Sequence, residues 1–539
     1  MSFEIIDRDL AGRIGKLKTK SGNIETPAFF PVVNPRENII ACHEISEKFK
    51  IKNIITNAYL IKRQSEKQRL ELKDVHELLN FKDIIMTDSG AYQILMYGEI
   101  KLEAEEVVEL QEKLNSDIAV ILDVPTPRNA TRKIAERTVE MTIRNAEISI
   151  KKIKDHKIIW VGPVQGGRYL KLIEYCARRI GEMPFQIHGI GGPTQYMEKY
   201  EFEELVDIIV TAKKNLPLQR PVHLFGAGHP IILPLLVALG CDTFDSASYA
   251  LYAKDDRYMT PHGTIKLSRL EYLPCNCDIC RKYDASELKE MEKTERLRLL
   301  AEHNLWIIIE EIKRIKQAIK EGTLWELLEV KGKTHPQMYK AVKRLEKYRE
   351  YLEEFDPITK GEIRGIFYTT SEGLIRPEVT RHIKKLRRNV RFKGKEILLL
   401  LPEQNVKPHH KSMFLSRLLE KLKLKMDRRI EKLHFCIYTV PFGLIPIELD
   451  EIYPLSQYEN AKEVDACSEK VILEAVEALT EKNNYKRAII VCDQKLMSTQ
   501  TLRELRKILK KRGISVEIFK YKGEMDVEKL IKEQTLYYM

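Results

Sequence analysis

Apolar and β-branched residues gather into eight short runs along the N-terminal half of the chain, at residues 24–33, 53–60, 83–87, 117–122, 157–164, 184–190, 222–225 and 242–244. Each run opens into Gly, Pro, Asp or Asn, and stretches with helical spacing, such as 65–79 and 196–214, separate most of them. The runs are strand-sized, and their alternation with helices predicts an α/β fold, a (β/α)8 TIM barrel. In such a barrel the strand interiors fill the core, while polar residues at the C-terminal strand ends form the active site. Reading just past the runs places Asp88-Ser89-Gly90, Asp123, Gln165-Gly166-Gly167, Gly191-Gly192, Gly226-Ala227-Gly228 and Asp245 at the mouth.

Beyond the eighth run the period changes. Residues 286–320 carry Leu297, Leu300, Trp306, Ile309 and Ile312 at helical spacing, and a second helical region spans 338–355. Asp356-Pro357 reads as the boundary of the first unit. Strand-like runs at 396–401, 433–439, 488–492 and 514–519 then alternate with helices such as 502–511, which predicts a smaller α/β domain. The expected organisation is a catalytic domain at 1–345, a helical and basic linker at 346–395 and a C-terminal α/β domain at 396–539.

Composition narrows the partners. With 91 Lys and Arg against 79 Asp and Glu the net charge is +12, which favours polyanions, nucleic acid above all. The longest apolar stretch, around residues 230–241, is too short to span a bilayer, and the N-terminus carries no signal-like apolar core, so a cytoplasmic protein is expected. Abundant Lys, Glu and Ile with scarce Gln is a thermophile-like bias.

Of nine cysteines, three stand together as Cys275-x-Cys277-x2-Cys280, with His303 following inside the predicted helix. Three thiols and one imidazole complete a tetrahedral zinc sphere, the pattern of a closed structural site. One structural Zn2+ is therefore expected as a barrel insertion, with the chemistry elsewhere. The other six cysteines are scattered, as in a reduced cytosolic chain.

Two carboxylates at one barrel mouth, Asp88 and Asp245, allow one to attack covalently while the other handles protons. Asp123 suits a base edge, and the glycines after Gln165 and Ile190 let a planar ligand approach the backbone. Residues 87–93 (Thr87-Asp88-Ser89-Gly90-Ala91-Tyr92-Gln93), Val164-Gln165-Gly166-Gly167, Phe244-Asp245-Ser246 and the cysteine and histidine set together resemble the tRNA-guanine transglycosylases. Residues 223–230 (His-Leu-Phe-Gly-Ala-Gly-His-Pro) and 245–254 (Asp-Ser-Ala-Ser-Tyr-Ala-Leu-Tyr-Ala-Lys) resemble the archaeal branch. The resemblance covers residues 1–345 closely and the remainder more loosely.

It implies exchange of guanine at position 15 of the tRNA D-loop for 7-cyano-7-deazaguanine, a step towards archaeosine. By the same mapping Asp245 is the nucleophile at ribose C1′ and Asp88 the general acid and base. Ser89, Asp123, Gln165, Gly191 and Gly192 bind the base, and Tyr92 and Phe225 sandwich it. Ala91 stands where the family carries Ser or Gly. The family also implies a homodimer near the zinc region. Its archaeal members often end in a PUA domain that grips tRNA; none is expected here, so either the protein works without one or, the favoured reading, a separate PUA-domain protein supplies that grip. The rival reading is a noncatalytic, zinc-containing tRNA-binding subunit, against which stand the retained Asp88 and Asp245.

The C-terminal domain resembles part of archaeosine synthase, whose motif runs Pro-Cys-x3-Lys-Pro-Tyr-x2-Ser-x2-His. Pro402, Lys407, Pro408 and Ser412 match it, but Glu403 replaces the Cys, His409 the Tyr and Leu415 the His. A carboxylate cannot do thiol chemistry, so a scaffold or RNA-binding role is expected. The basic run at residues 381–393 is a candidate for phosphate contacts.

Overall fold

The structure is a computed structural model that describes residues 3–69, 71–91, 103–360, 364–388, 390–461 and 466–521. The described residues divide into two compact units, bounded by Met1–Tyr348 with Phe355–Glu362 and by Arg349–Glu354 with Ile363–Met539.

The first unit opens with three strands, β1 (Phe3–Asp9), β2 (Gly12–Lys18) and β3 (Asn23–Thr26), in an antiparallel sheet. Then come eight parallel strands: β4 (Ala28–Pro31), β5 (Asn53–Asn57), β6 (Ile84–Asp88), β7 (Ile118–Val120), β8 (Ile159–Val164), β9 (Ile187–Ile190), β10 (Val222–Leu224) and β11 (Thr243–Ser246). Their order is β4-β11-β10-β9-β8-β7-β6-β5. The ring closes where Val33 N–H donates to the Ile55 carbonyl at 2.8 Å. Phe30, Ile55, Met86, Val120, Val161 and Ile187 pack together in one buried cluster, so the barrel centre is a filled core.

Each of the eight expected runs holds a barrel strand, and two of the differences in boundary have a plain local cause. The run at 24–33 holds two strands, because Pro27 separates β3 from β4 and has no N–H for a ladder. The run at 53–60 stops at Asn57, whose side chain accepts from Leu60 N–H and so caps the helix Ala58–Gln68. At the opposite end of the barrel, Arg13 of β2 forms a buried, bidentate ion pair with Asp242, its Nε donating to Oδ1 at 2.9 Å. Asp242 also accepts from Val222 N–H at 2.7 Å, tying the N-terminal sheet to the start of β10.

After β11 the hairpin β12 (Arg257–Thr260) and β13 (Gly263–Lys266) leads into the cysteine segment. The helix expected over 286–320 is two helices, Ala285–Glu290 and Lys293–Glu321. Glu292 divides them by accepting from Thr294 and Glu295 N–H.

In the second unit β14 (Ile366–Tyr368) pairs in parallel with β18 (Tyr458–Asn460). A five-stranded sheet has the order β17-β16-β15-β19-β20, from β15 (Ile397–Pro402), β16 (Leu433–Thr439), β17 (Gly443–Pro446), β19 (Arg487–Asp493) and β20 (Ser515–Tyr521). Only β17 runs antiparallel. Alternate residues of β15 enter different cores, Leu398 and Leu400 one and Leu399 and Leu401 the other, as a doubly wound sheet requires. The stretch expected as a helical and basic linker includes the helix Pro377–Arg388, but Val379, Ile383 and Leu386 of that helix are buried in this unit's core. Its cations are largely paired within the unit, Arg381 with Glu353, Lys384 with Glu350 and Glu353, and Arg387 with Glu481. Among the described residues no helix is long and apolar enough to cross a membrane.

Candidate active site

Parallel register sets the site. Because all eight strands point the same way, the residues at their ends converge, and Asp88, Asp123, Gln165, Gly191, Phe225 and Asp245 line one cavity of about 450 Å³. Gly192 borders it as well. That volume suits a ligand of nucleoside size.

Asp88 ends β6 opposite Asn57 of β5. Its Oδ2 accepts from Asn57 Nδ2 at 3.1 Å and from Gly90 N–H at 3.3 Å. Burial raises its carboxyl to about 7, with the charges of Asp123 and Asp245 adding to the rise. Asp123 is likewise raised to about 6 by burial, against the opposing pull of its Gln165 hydrogen bond. Two carboxyls lifted into the neutral range in one cleft are equipped for proton transfer and for hydrogen bonding in either protonation state.

Gln165 connects the next two strand ends. Its Nε2 donates to Asp123 Oδ2 at 2.6 Å, while its Oε1 accepts from Thr126 N–H at 3.1 Å. A Cβ at Gly191 would lie 2.0 Å from Gln165 Nε2, so this pairing requires glycine there. On the opposite wall Asp245 Oδ1 accepts from Gly226 N–H at 3.0 Å and from His223 Nε2 at 3.0 Å. Gly226 holds φ +74, and a Cβ there would meet Thr194 Oγ1 at 2.1 Å.

The four expected metal ligands come together outside the cavity. Cys277 Sγ lies 3.6 Å from Cys280 Sγ, and His303 Nδ1 lies 3.4 Å from each of these sulfurs. Including Cys275, the four ligand atoms lie within 4.8 Å of one another. A tetrahedron with Zn–S of about 2.3 Å and Zn–N of about 2.0 Å has edges of about 3.8 and 3.5 Å, so the set is spaced for such an ion. His303 Nε2 donates to the Met259 carbonyl at 2.8 Å, which leaves the Nδ1 lone pair facing the sulfurs. Tyr258 stacks on the imidazole at 3.7 Å and reaches Cys280 Sγ through its hydroxyl at 3.3 Å. The neighbouring Asn304 accepts from Met259 N–H at 2.8 Å and donates to the Tyr249 carbonyl at 3.2 Å. Tyr249 is itself a cavity wall, so the cysteine module braces the site.

Residues 8–337, which carry both the barrel mouth and the cysteine set, match the queuine tRNA-ribosyltransferase family. The chain belongs to that family. Curated relatives named tRNA-guanine(15) transglycosylase include one from Sulfolobus acidocaldarius, 41% identical over 93% of this chain and 97% of its own length. Another, from Saccharolobus solfataricus, is 43% identical over 92% of this chain and 97% of its own length. A third, from Pyrococcus furiosus, is 47% identical over 74% of this chain and 67% of its own length. Residues 379–529 separately match a domain of unknown function, DUF5591.

For this queuine tRNA-ribosyltransferase family member, seven of the expected mouth residues meet at the cavity. Ser89 is placed differently: it is buried behind the wall, where its hydroxyl accepts from Ala91 N–H at 3.4 Å. Tyr92 lies outside the described residues. Two residues at the site escaped the sequence reading, Asn57 and His223. Asn57 was hidden inside a run drawn past its strand end. His223 reads as one more core position of β10 until the neighbouring strand is placed beside it.

In the second unit Glu403, standing at the synthase cysteine position, accepts from the Tyr458 hydroxyl at 2.9 Å and pairs with Lys407 at 3.3 Å. Lys407 Nζ lies 3.6 Å from the centre of the Tyr458 ring. The carboxylate is thus paired internally, in the manner of a structural contact.

Proposed function

We propose that this protein exchanges guanine at position 15 of the tRNA D-loop for 7-cyano-7-deazaguanine through a covalent intermediate on Asp245, in the route to archaeosine. The observation that carries the reading is the meeting of Asp245 with the raised carboxyls of Asp88 and Asp123 in one cavity.

In the first half-reaction an Asp245 oxygen bonds to ribose C1′ as the C1′–N9 bond breaks. The electron pair leaves with guanine, and Asp88 delivers the proton that neutralises it. In the second half-reaction Asp88 takes the proton from the ring nitrogen of 7-cyano-7-deazaguanine. That nitrogen attacks C1′ and the ester bond to Asp245 breaks. Asp123 and Gln165 read the base edge with the backbone of Gly191 and Gly192, and Phe225 stacks on one face of the base. Recognition of this kind suits a base withdrawn from its helix.

Cys275, Cys277, Cys280 and His303 hold one zinc ion. Four protein donors leave no position for water, so the ion braces the fold. The protein acts in the cytoplasm, as a homodimer, and its second unit serves as scaffold or RNA-binding surface. Radiolabelled guanine exchange into tRNA transcripts tests the reading: wild type incorporates label, and Asp245→Ala or a transcript lacking the D-loop guanine does not. Incorporation by Asp245→Ala would reject it.

A further inference from the structure

We propose that His223 and Thr243 form a positioning relay that reserves one oxygen of Asp245, Oδ2, for attack on the ribose. This rests on the reading of Asp245 as the nucleophile.

His223 and Thr243 are register partners on the parallel strands β10 and β11, and Asp245 lies two residues beyond Thr243 on the same face. His223 is wholly buried, and Thr243 nearly so. The imidazole packs edge-on against Phe30 and against Phe225, with ring centres 6.1 and 4.6 Å away. Its orientation is therefore fixed from two sides.

The hydrogen bonds then decide the tautomer. An ionised carboxylate only accepts, so the Nε2 that meets Asp245 Oδ1 at 3.0 Å carries a hydrogen. In the neutral ring Nδ1 is consequently an acceptor, and the Thr243 hydroxyl, 2.9 Å away, donates to it. Thr243 thereby selects the tautomer that supports Asp245.

Oδ1 receives two donors, His223 Nε2–H and Gly226 N–H. Neither directs a hydrogen at Oδ2, which keeps its lone pairs for C1′. The same donors serve both half-reactions. Once Oδ2 bonds to C1′, Oδ1 becomes the ester carbonyl oxygen and still accepts both hydrogen bonds. When the incoming base displaces the ester, negative charge returns to the carboxylate, and donors already aimed at Oδ1 stabilise it without reorganising. No proton moves through the relay in either step.

The test compares His223→Gln with His223→Asn in the full-length protein, using radiolabelled guanine exchange into a tRNA transcript. Gln places an amide N–H near the position of Nε2, whereas Asn reaches only to that of Nδ1. Gln should keep kcat within about threefold, and Asn should lose about 100-fold in kcat with KM for tRNA unchanged, the usual effect of losing one donor to a developing charge. Equal activity in the two variants, or a loss carried by KM, would overturn the proposal. If His223→Asn does not fold, Thr243→Val and Thr243→Ser decide it. Val, which keeps the shape but not the hydroxyl, should lower kcat, and Ser should restore it; equal rates would reject the relay. Asp245→Ala is assayed alongside: exchange by that variant would remove the nucleophile reading itself, whereas its inactivity beside a wild-type-like His223→Asn would reject the relay alone.

Discussion

Asp88 titrates in the field of Asp245. Burial is the largest cause of its rise to about 7, the charge of Asp123 comes next and that of Asp245 follows. In the proposed mechanism the protonated form of Asp88 must meet the leaving guanine. The rate of the first half-reaction should therefore fall as pH rises through about 7. Asp123→Asn removes the larger of the two charge contributions, so this limb should move to lower pH. Single-turnover pH profiles of the two proteins check the direction.

The same shift has a cost in stability. Unfolded Asp titrates near 3.9, so between that value and about 7 the folded chain holds a proton at Asp88 that the unfolded chain has released. Stability therefore falls as pH rises across that window. Asp88→Asn abolishes the contribution. It should unfold a few degrees above wild type at pH 8 and together with it at pH 4, as read by thermal denaturation.

Zinc removal should act on the fold first. The cluster joins the cysteine segment to the helix Lys293–Glu321, and Asn304 carries that connection to the cavity wall at Tyr249. Elemental analysis should give one zinc per chain. Stripping it with a strong chelator, or making Cys280→Ala, should cost at least about 5 kcal/mol of stability. Activity should fall with the folded fraction, and readdition of zinc to the chelated protein should restore both.

Arg13 and Asp242 supply a control at the end of the barrel opposite the cavity. Both are buried, and Asp242 serves the guanidinium and the start of β10 together. Arg13→Ala leaves an uncompensated buried charge and should destabilise the protein by about 3–5 kcal/mol. Turnover per folded molecule should stay unchanged, as measured by denaturant titration and exchange assay in parallel.

What the sequence made legible follows from the kind of order each element carries. Buried parallel strands are continuous apolar runs, so all eight barrel strands could be marked, and Asp88, Asp123 and Asp245 followed from reading past them. β1 was not legible, because Glu4, Ile6 and Arg8 alternate outward along a half-solvated sheet whose signal is weaker than that of a core strand. The short β17, β14 and β18 are too brief for any pattern, and they exist through their partners. The helix Pro377–Arg388 looked like a charged linker because its cations outnumber its apolar residues, yet Val379, Ile383 and Leu386 at helical spacing seat it in a core. His223 was invisible for another reason: its meaning lies in the register of β10 with β11, which brings together residues 22 apart in the chain. The grouping of Cys275, Cys277 and Cys280 with His303 was legible, since ligand type and spacing point to it.

The most direct test of the central claim is capture of the covalent intermediate on a denaturing gel. Wild-type protein incubated with tRNA in the absence of added base should yield a protein–tRNA band that disappears when guanine or 7-cyano-7-deazaguanine is added. Asp245→Ala should give no band while still binding tRNA under native conditions. A base-sensitive band of equal intensity from Asp245→Ala would contradict the account and place the nucleophile on another residue.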